Sequence, residues 1–234
     1  MQKIPLILTR PADANAAFKK AFPASLAEKL DFVDCPLIRI VPLGGQVELP
    51  ASIAAIFTSS NAVGYAPPGL GRRAFCVGRK TTQVAQSAGW DAVFAGLNAE
   101  ELLSRLHDLR PDLPLVHLSG VHVRGEIVEK LSSDGMNARR LSLYDQELLP
   151  MSDAGQRIME QQCPAIVPLF SPRAAAHFAA VSPVNPQLRA VAISSAVFDS
   201  LGKIAHAEIL VAGQPTAQTV VECVEKLVRN ISLG

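Results

Sequence analysis

The feature of this 234-residue chain that most restricts its fold is a repeat whose last unit comes first. The run IFTSSNAV, Ile56 to Val63, resembles LFSPRAAA, Leu169 to Ala176. AFCVGRKTTQVAQSAG, from Ala74, stands where AVAISSAVFDSLGKIA, from Ala190, stands in the other copy. FAGLNAEELLSRL, from Phe94, matches VAGQPTAQTVVECV, from Val211. PLVHLSGVHVRGEIVEKL, from Pro114, has its counterpart in PLILTRPADANAAFKKAF, from Pro5. That last unit closes the middle series but opens the chain. Such an order predicts one continuous domain, residues 43–140, inserted into a second one assembled from 1–35 plus 150–234. The segments 36–42 and 141–149 then connect the two.

Apolar runs of strand length alternate with helical patterns throughout, which predicts α/β architecture with parallel sheets. Strands are expected at Ile4–Leu8, Ile53–Phe57, Ala74–Val77, Ala92–Phe94, Leu115–Leu118, Arg139–Leu143, Ala165–Phe170, Leu188–Ile193 and Glu208–Val211. Helices are expected at Ala12–Leu30, Thr82–Ala88, Ala99–Leu109, Val123–Ser133, Pro172–Ala180, Ala196–Lys203 and Thr216–Arg229. Hydroxyl, Asn or Pro residues open many of them, as an N-cap or first turn requires. The connectors CPLIRIVPL, from Cys35, and RLSLYDQELLP, from Arg140, read as extended, with apolar–polar alternation and bounding prolines. Side by side they would pair as a two-stranded ladder.

Composition excludes several classes. Hydrophobic residues make up 49% and charged residues 18%, which is material for a core and not for a disordered chain. A net charge of +1, with basic runs no longer than pairs such as Arg72-Arg73 and Arg139-Arg140, gives little footprint for nucleic acid while leaving room for a local cationic cleft for a small anion. The first residues lack the apolar stretch and cleavage site of a signal peptide, and no run is long enough for a membrane span. The four cysteines are scattered without a CxxC pair, which points to reduced thiols and a cytoplasmic location.

In open α/β sheets ligands bind beyond the carboxyl ends of the strands, where helix N-termini present unpaired N–H groups to anions. The positions so placed are Thr9, Arg10, Thr58, Ser59, Asn61, Gly78, Thr81, Ser119, Gly120, Ser171, Ser194, Gly213 and Thr216. Hydroxyls and amides of this kind suit a ligand with several carboxylates spread over a large area. Taken singly, each Ser or Thr is an ordinary cap and each Gly an ordinary turn residue. Arg124, taken alone, is a solvated helix charge. The collective pattern carries the weight.

Other chemistries find no support. There is no GxGxxG, no GxxxxGK[ST] and no GxSxG. His117 and His122 fall at a strand end and a helix start without a metal-like cluster; His107, His177 and His206 are isolated. All five read as surface or satisfied histidines, and no metal ligand is assigned. Glu100 and Glu101 open a helix and serve its dipole. Tyr144, one of two tyrosines, lies in a connector, where its phenol is either a weak acid or a packing group.

The motifs ILTRP, FTSSNAV, CVGRKTTQVAQSAG, LSGVHVRGEIVEKLSSDG, LYDQEL, FSPRAAAHF and VAGQPTAQTVVECV, in this order, resemble uroporphyrinogen-III synthases over nearly the whole chain. The resemblance implies two flavodoxin-like parallel-sheet domains joined by a two-stranded β connector, with the middle domain inserted into the terminal one. It implies cyclisation of hydroxymethylbilane to uroporphyrinogen III, with loss of water and inversion of ring D through a spiro intermediate. It implies no metal or organic cofactor, and a monomer whose partners are its small-molecule substrate and, as an open alternative, the preceding pathway enzyme. Tyr144 matches the family's connector tyrosine and is the candidate proton donor. Thr81 matches the threonine after the family's VG turn, and Arg124 and Arg173 join the substrate-binding candidates. Where many relatives carry a Gly-Pro-Thr-like turn, this chain reads Ser194-Ser195-Ala196-Val197, so Ser194 is the candidate there. The alternative is a non-catalytic two-domain protein of the same fold that binds a small anion or regulates.

Overall fold

The computed structural model describes residues 3–45, 47–123, 125–202 and 208–233. The chain opens with β1 (Ile4–Leu8), α1 (Ala12–Lys19), α2 (Ala24–Ala27), β2 (Leu30–Asp34) and β3 (Ile38–Pro42). There follow β4 (Ala54–Phe57), α3 (Ser60–Tyr65), β5 (Arg73–Val77), α4 (Arg79–Ser87), β6 (Asp91–Gly96), α5 (Ala99–Leu109), β7 (Leu115–Gly120), α6 (Ile127–Ser133) and β8 (Ala138–Leu148). The last part holds α7 (Asp153–Glu160), β9 (Ala165–Leu169), α8 (Pro172–Val181), β10 (Leu188–Ala192), α9 (Ser195–Leu201), β11 (Glu208–Val211) and α10 (Ala217–Leu233). These elements divide into two compact units, Met1–Arg39 with Glu147–Gly234, and Ile40–Gln146.

The first unit is built on a parallel sheet of order β11-β10-β9-β1-β2. β9 reads AIVPL and is buried throughout, as a central strand covered on both faces must be. Along β1, Leu6 and Leu8 point into a cluster with Phe18, Val220 and Val224, while Ile7 points the other way, towards Phe178 and Val197. Alternation of side chains along one strand thus feeds two apolar layers, one under α1 and α10, the other under α8 and α9.

The second unit repeats the plan in the sheet β6-β5-β4-β7-β8, with β3 added beyond β8. Ala55 and Phe57 pack under α3 and α4 with Trp90, whereas Ala54 and Ile56 pack under α5 and α6 with Leu102 and Leu131. α5 is started by a reciprocal cap. Asn98 Oδ1 accepts from the Glu101 N–H at 2.9 Å, and Glu101 Oε2 accepts from the Leu97 N–H at 2.9 Å. Numbered along the chain, the first unit has the flavodoxin order 2-1-3-4-5 and the second its permutation, 3-2-1-4-5. Aligning β7 with β1 and β4 with β9 makes the two sheets the same, which is the correspondence that the out-of-order repeat describes.

Some local expectations need correction. The helix expected over Ala12–Leu30 ends at Lys19, because Pro23 cannot continue it; a short α2 and the edge strand β2 follow. α7, capped by Ser152, was hidden in a stretch with few apolar residues. The helix expected from Val123 begins at Ile127. The segment after Arg140 is the continuation of β8, which runs parallel to β7 through Tyr144. β3 lies on its other side. Leu43 N–H bonds Leu143 C=O at 3.1 Å and Leu149 N–H bonds Leu37 C=O at 2.9 Å, so partner numbers fall on one strand as they rise on the other and the pairing is antiparallel.

Candidate active site

In each unit the strand order reverses once, between β1 and β9 in the first and between β4 and β7 in the second. The carboxyl ends flanking such a reversal diverge and leave a crevice.

In the second unit the crevice collects Thr58, Ser59, Ser119, Gly120 and Tyr144. Ser59 caps α3, its Oγ accepting from the Asn61 N–H at 3.2 Å, and its side chain also hydrogen-bonds the Tyr144 phenol. The Tyr144 ring lies against Gly120, where a Cβ would come within 2.7 Å of the ring's Cε2. A register shift between Ser119 and Gly120 brings Gly120 opposite Tyr144, whose C=O accepts from the Val121 N–H at 2.9 Å. Tyr65, at the end of α3, packs on Tyr144 with ring centroids 5.5 Å apart. Tyr144 itself is only 4% exposed, and burial pushes its phenol above the usual tyrosine range. Ser119 is buried and gives its hydroxyl to the Gly120 C=O at 3.1 Å. Asn61 is exposed.

Two histidines at this crevice carry more than the sequence indicated. His117, buried in β7, is 3.1 Å through Nε2 from Thr58 Oγ1. Burial, aided by the Arg140 charge and opposed by Glu129, lowers its pKa to about 4. It is therefore a neutral imidazole fixing the Thr58 hydroxyl. His122, just past β7, lies 3.2 Å through Nε2 from Asp145 Oδ1, the residue after Tyr144. Each depends on a partner from a different strand, which spacing along the chain does not display.

Gly78 and Thr81 sit one strand further out, after β5. Gly78 adopts φ +81° at the N-cap of α4, a conformation that favours glycine. Its C=O accepts from Thr82 Oγ1 at 3.1 Å, and Thr81 is buried beside it. Arg124 lies outside the described residues.

In the first unit the crevice gathers Thr9, Arg10, Ser171 and Arg173. Thr9 is 1% exposed, and its Oγ1 has no hydrogen-bond partner among the described residues. The Arg10 guanidinium lies 4.3 Å from the centre of the Phe170 ring, and burial lowers its pKa from the usual arginine value. Ser171 caps α8 through the Ala174 N–H at 3.1 Å, with Arg173, partly buried, in the first turn. Ser194 caps α9 one strand away, bonding the Val197 N–H at 3.4 Å. Gly213 follows the edge strand β11, with open space around it, and Thr216 bonds the Thr219 N–H at 3.2 Å.

Two doubly wound α/β units, each presenting hydroxyls and helix N-termini where its strand order reverses, define a two-unit protein of the flavodoxin-like α/β class. A family profile described as uroporphyrinogen-III synthase HemD matches residues 25–222. The chain belongs to the uroporphyrinogen-III synthase family. Among solved structures, it is similar to the uroporphyrinogen-III synthetase of Helicobacter pylori 26695, with a TM-score of 0.69 and 14% identity over 97% of this chain and 100% of that one. It is also similar to a mutant uroporphyrinogen III synthase of the extremely thermophilic bacterium Thermus thermophilus, with a TM-score of 0.56 and 14% identity over 97% and 99% of the two chains. At such identity these likenesses speak for the fold alone. A comparison with curated proteins returned no match. Among the described residues no helix is long and apolar enough to cross a membrane.

Proposed function

We propose that the chain cyclises hydroxymethylbilane to uroporphyrinogen III in haem biosynthesis, as a monomer in the cytoplasm. The family match over residues 25–222 carries this reading. The linear tetrapyrrole closes without help to the non-inverted isomer, so the protein's task is to choose between two closures. Holding both ends of the substrate in one geometry lowers the entropic part of one barrier relative to the other.

The substrate loses hydroxide to leave an azafulvene cation. Attack by the substituted carbon of ring D gives a spiro intermediate, which fragments and recloses with ring D inverted. In the second unit the N-terminus of α3, with Thr58 and Ser59, offers binding groups for substrate carboxylates; in the first unit the N-terminus of α8, with Arg10 and Arg173, does so. A half-buried guanidinium stacked on Phe170 is held still, so little side-chain entropy is lost when it engages a carboxylate. His117 keeps the Thr58 hydroxyl in one orientation. Tyr144 directs its phenolic hydrogen to the leaving hydroxyl while Ser59 bonds the phenolic oxygen.

The test is turnover of freshly generated hydroxymethylbilane, with products oxidised and separated by isomer. Excess type III over the spontaneous type I is expected. Type I alone, at the uncatalysed rate and from folded protein, would leave a binding or regulatory protein of this fold. Tyr144→Phe removes one hydrogen bond and lowers kcat by roughly tenfold, about 1.4 kcal/mol. Unchanged kcat would return Tyr144 to packing.

A further inference from the structure

We propose that His122 and Asp145 form an acid–base pair that protonates the departing hydroxyl and later takes a proton back from the product. The proposal rests on the synthase reading above and assigns a step which that reading leaves without a proton source.

The chemistry sets the need. When the carbon–oxygen bond breaks, hydroxide is a poor leaving group unless it takes up a proton and departs as water. The bonding pair leaves with the oxygen, and the carbon becomes the azafulvene cation. In the final closure, ring D forms its carbon–carbon bond through a carbon that still bears hydrogen, and that hydrogen is lost as a proton to restore the aromatic ring. One proton is consumed at the start and one released at the end. A single group that gives and then recovers a proton balances the cycle, with no oxidant, reductant or co-reactant.

The crevice of the second unit offers four groups for this role. Tyr144 is nearly buried and holds its proton firmly, so it can donate a hydrogen bond but is a poor source of the proton itself. His117 is buried, already engaged with Thr58, and uncharged at neutral pH. His122 and Asp145 are different. Their side chains are 43% and 39% exposed, enough to meet a ligand. His122 Nε2 faces Asp145 Oδ1 at 3.2 Å, and the same oxygen accepts the Gln146 N–H at 2.6 Å, which fixes the carboxylate. The carboxylate faces Nε2 and so sets the ring's orientation, leaving Nδ1, which has no hydrogen-bond partner among the described residues, to carry the proton that moves. The pair is joined to Tyr144 through the backbone, since Asp145 follows it in β8 and the Val121 N–H, one residue before His122, bonds the Tyr144 C=O. The other histidines with described surroundings are elsewhere. His107 faces Asp134 at the far end of α5, and His177 bonds the Leu149 C=O at 2.7 Å.

The experiment compares wild type, His122→Ala and Asp145→Asn for kcat, KM and isomer ratio, with and without added imidazole. His122→Ala is expected to lower kcat by about tenfold or more with KM little changed, as loss of a general acid does. Added imidazole should restore part of that kcat in proportion to its concentration. Asp145→Asn, which preserves shape, should lower kcat less and show no response to imidazole. A kcat for His122→Ala within about twofold of wild type overturns the proposal, as does a loss that imidazole cannot restore. If wild type itself yields type I alone, the synthase reading falls and the proposal falls with it; this outcome is separate because it needs no variant.

Discussion

His117 shows how one buried side chain ties the stability of the second unit to pH. Folded, its imidazole binds a proton only near pH 4, whereas an unfolded histidine does so near pH 6.5. Between those values the unfolded chain holds more protons, so stability increases with pH across the window. Conversely, it is lost as pH falls from about 6.5 towards about 4, by up to about 3 kcal/mol for the full difference. His117→Gln keeps a polar atom near Thr58 but does not titrate. Urea unfolding at a series of pH values should therefore give a flatter profile for the variant between about pH 4 and 6.5. Equal slopes would mean that carboxylates, not His117, set the acid limb. At this scale the sequence was informative where a residue acts through its own backbone. Ser59, Ser171 and Ser194 were readable as caps, and they are caps. It was uninformative for His117, His122 and Tyr65, whose roles depend on Thr58, Asp145 and Tyr144, brought close only by strand pairing and packing.

Among the elements, β7 and β8 place the aromatic wall of the crevice, and Gly120 permits it. A methyl group there would sit 2.7 Å from Cε2 and 2.9 Å from Cζ of Tyr144, a buried ring. Gly120→Ala should cost about 1–3 kcal/mol, as overpacking does, and reduce the type III product. Removing the ring tests the cause. In the double variant with Tyr144→Ala the cost of the alanine should largely vanish, so the two losses will not add. Additive losses in denaturant midpoints would locate the strain elsewhere. The strands of both sheets were readable because central parallel strands are short continuous apolar runs, as in AIVPL and AAIF. β2 was not. LDFVD has the mixed pattern of an edge strand and follows a helical stretch without a strong stop before Pro23. The later half of β8 reads as a connector because it alternates in polarity; it pairs with β7 only as far as Tyr144 and lies beside β3 beyond it.

For the whole molecule, the insertion has a consequence that the β3–β8 ladder makes testable. The chain passes between its two units at Arg39–Ile40 and at Gln146–Glu147. Both passages lie on paired antiparallel strands. Leu37 pairs with Leu149, and Arg39 Nη2 meets Glu147 Oε2 at 2.6 Å, so Arg39 and Glu147 are opposite residues. In such a ladder opposite residues are about 5 Å apart, which a two-residue Asn-Gly turn spans. We therefore propose that each unit is a domain that folds by itself. Residues 40–146 should do so because that segment holds its own sheet and both layers of its own core. Residues 1–39 joined by Asn-Gly to 147–234 should do so because the join carries the chain on from β2 towards α7 and β9, and the segment keeps its own sheet and both layers of its own core. Each fragment is expected to unfold in a single cooperative transition, and the titration of His117 should persist in the 40–146 fragment. An unfolded 40–146 fragment would show that the inserted segment depends on the flanking chain for more than its ends, and the boundaries would then mark contact density and not folding units.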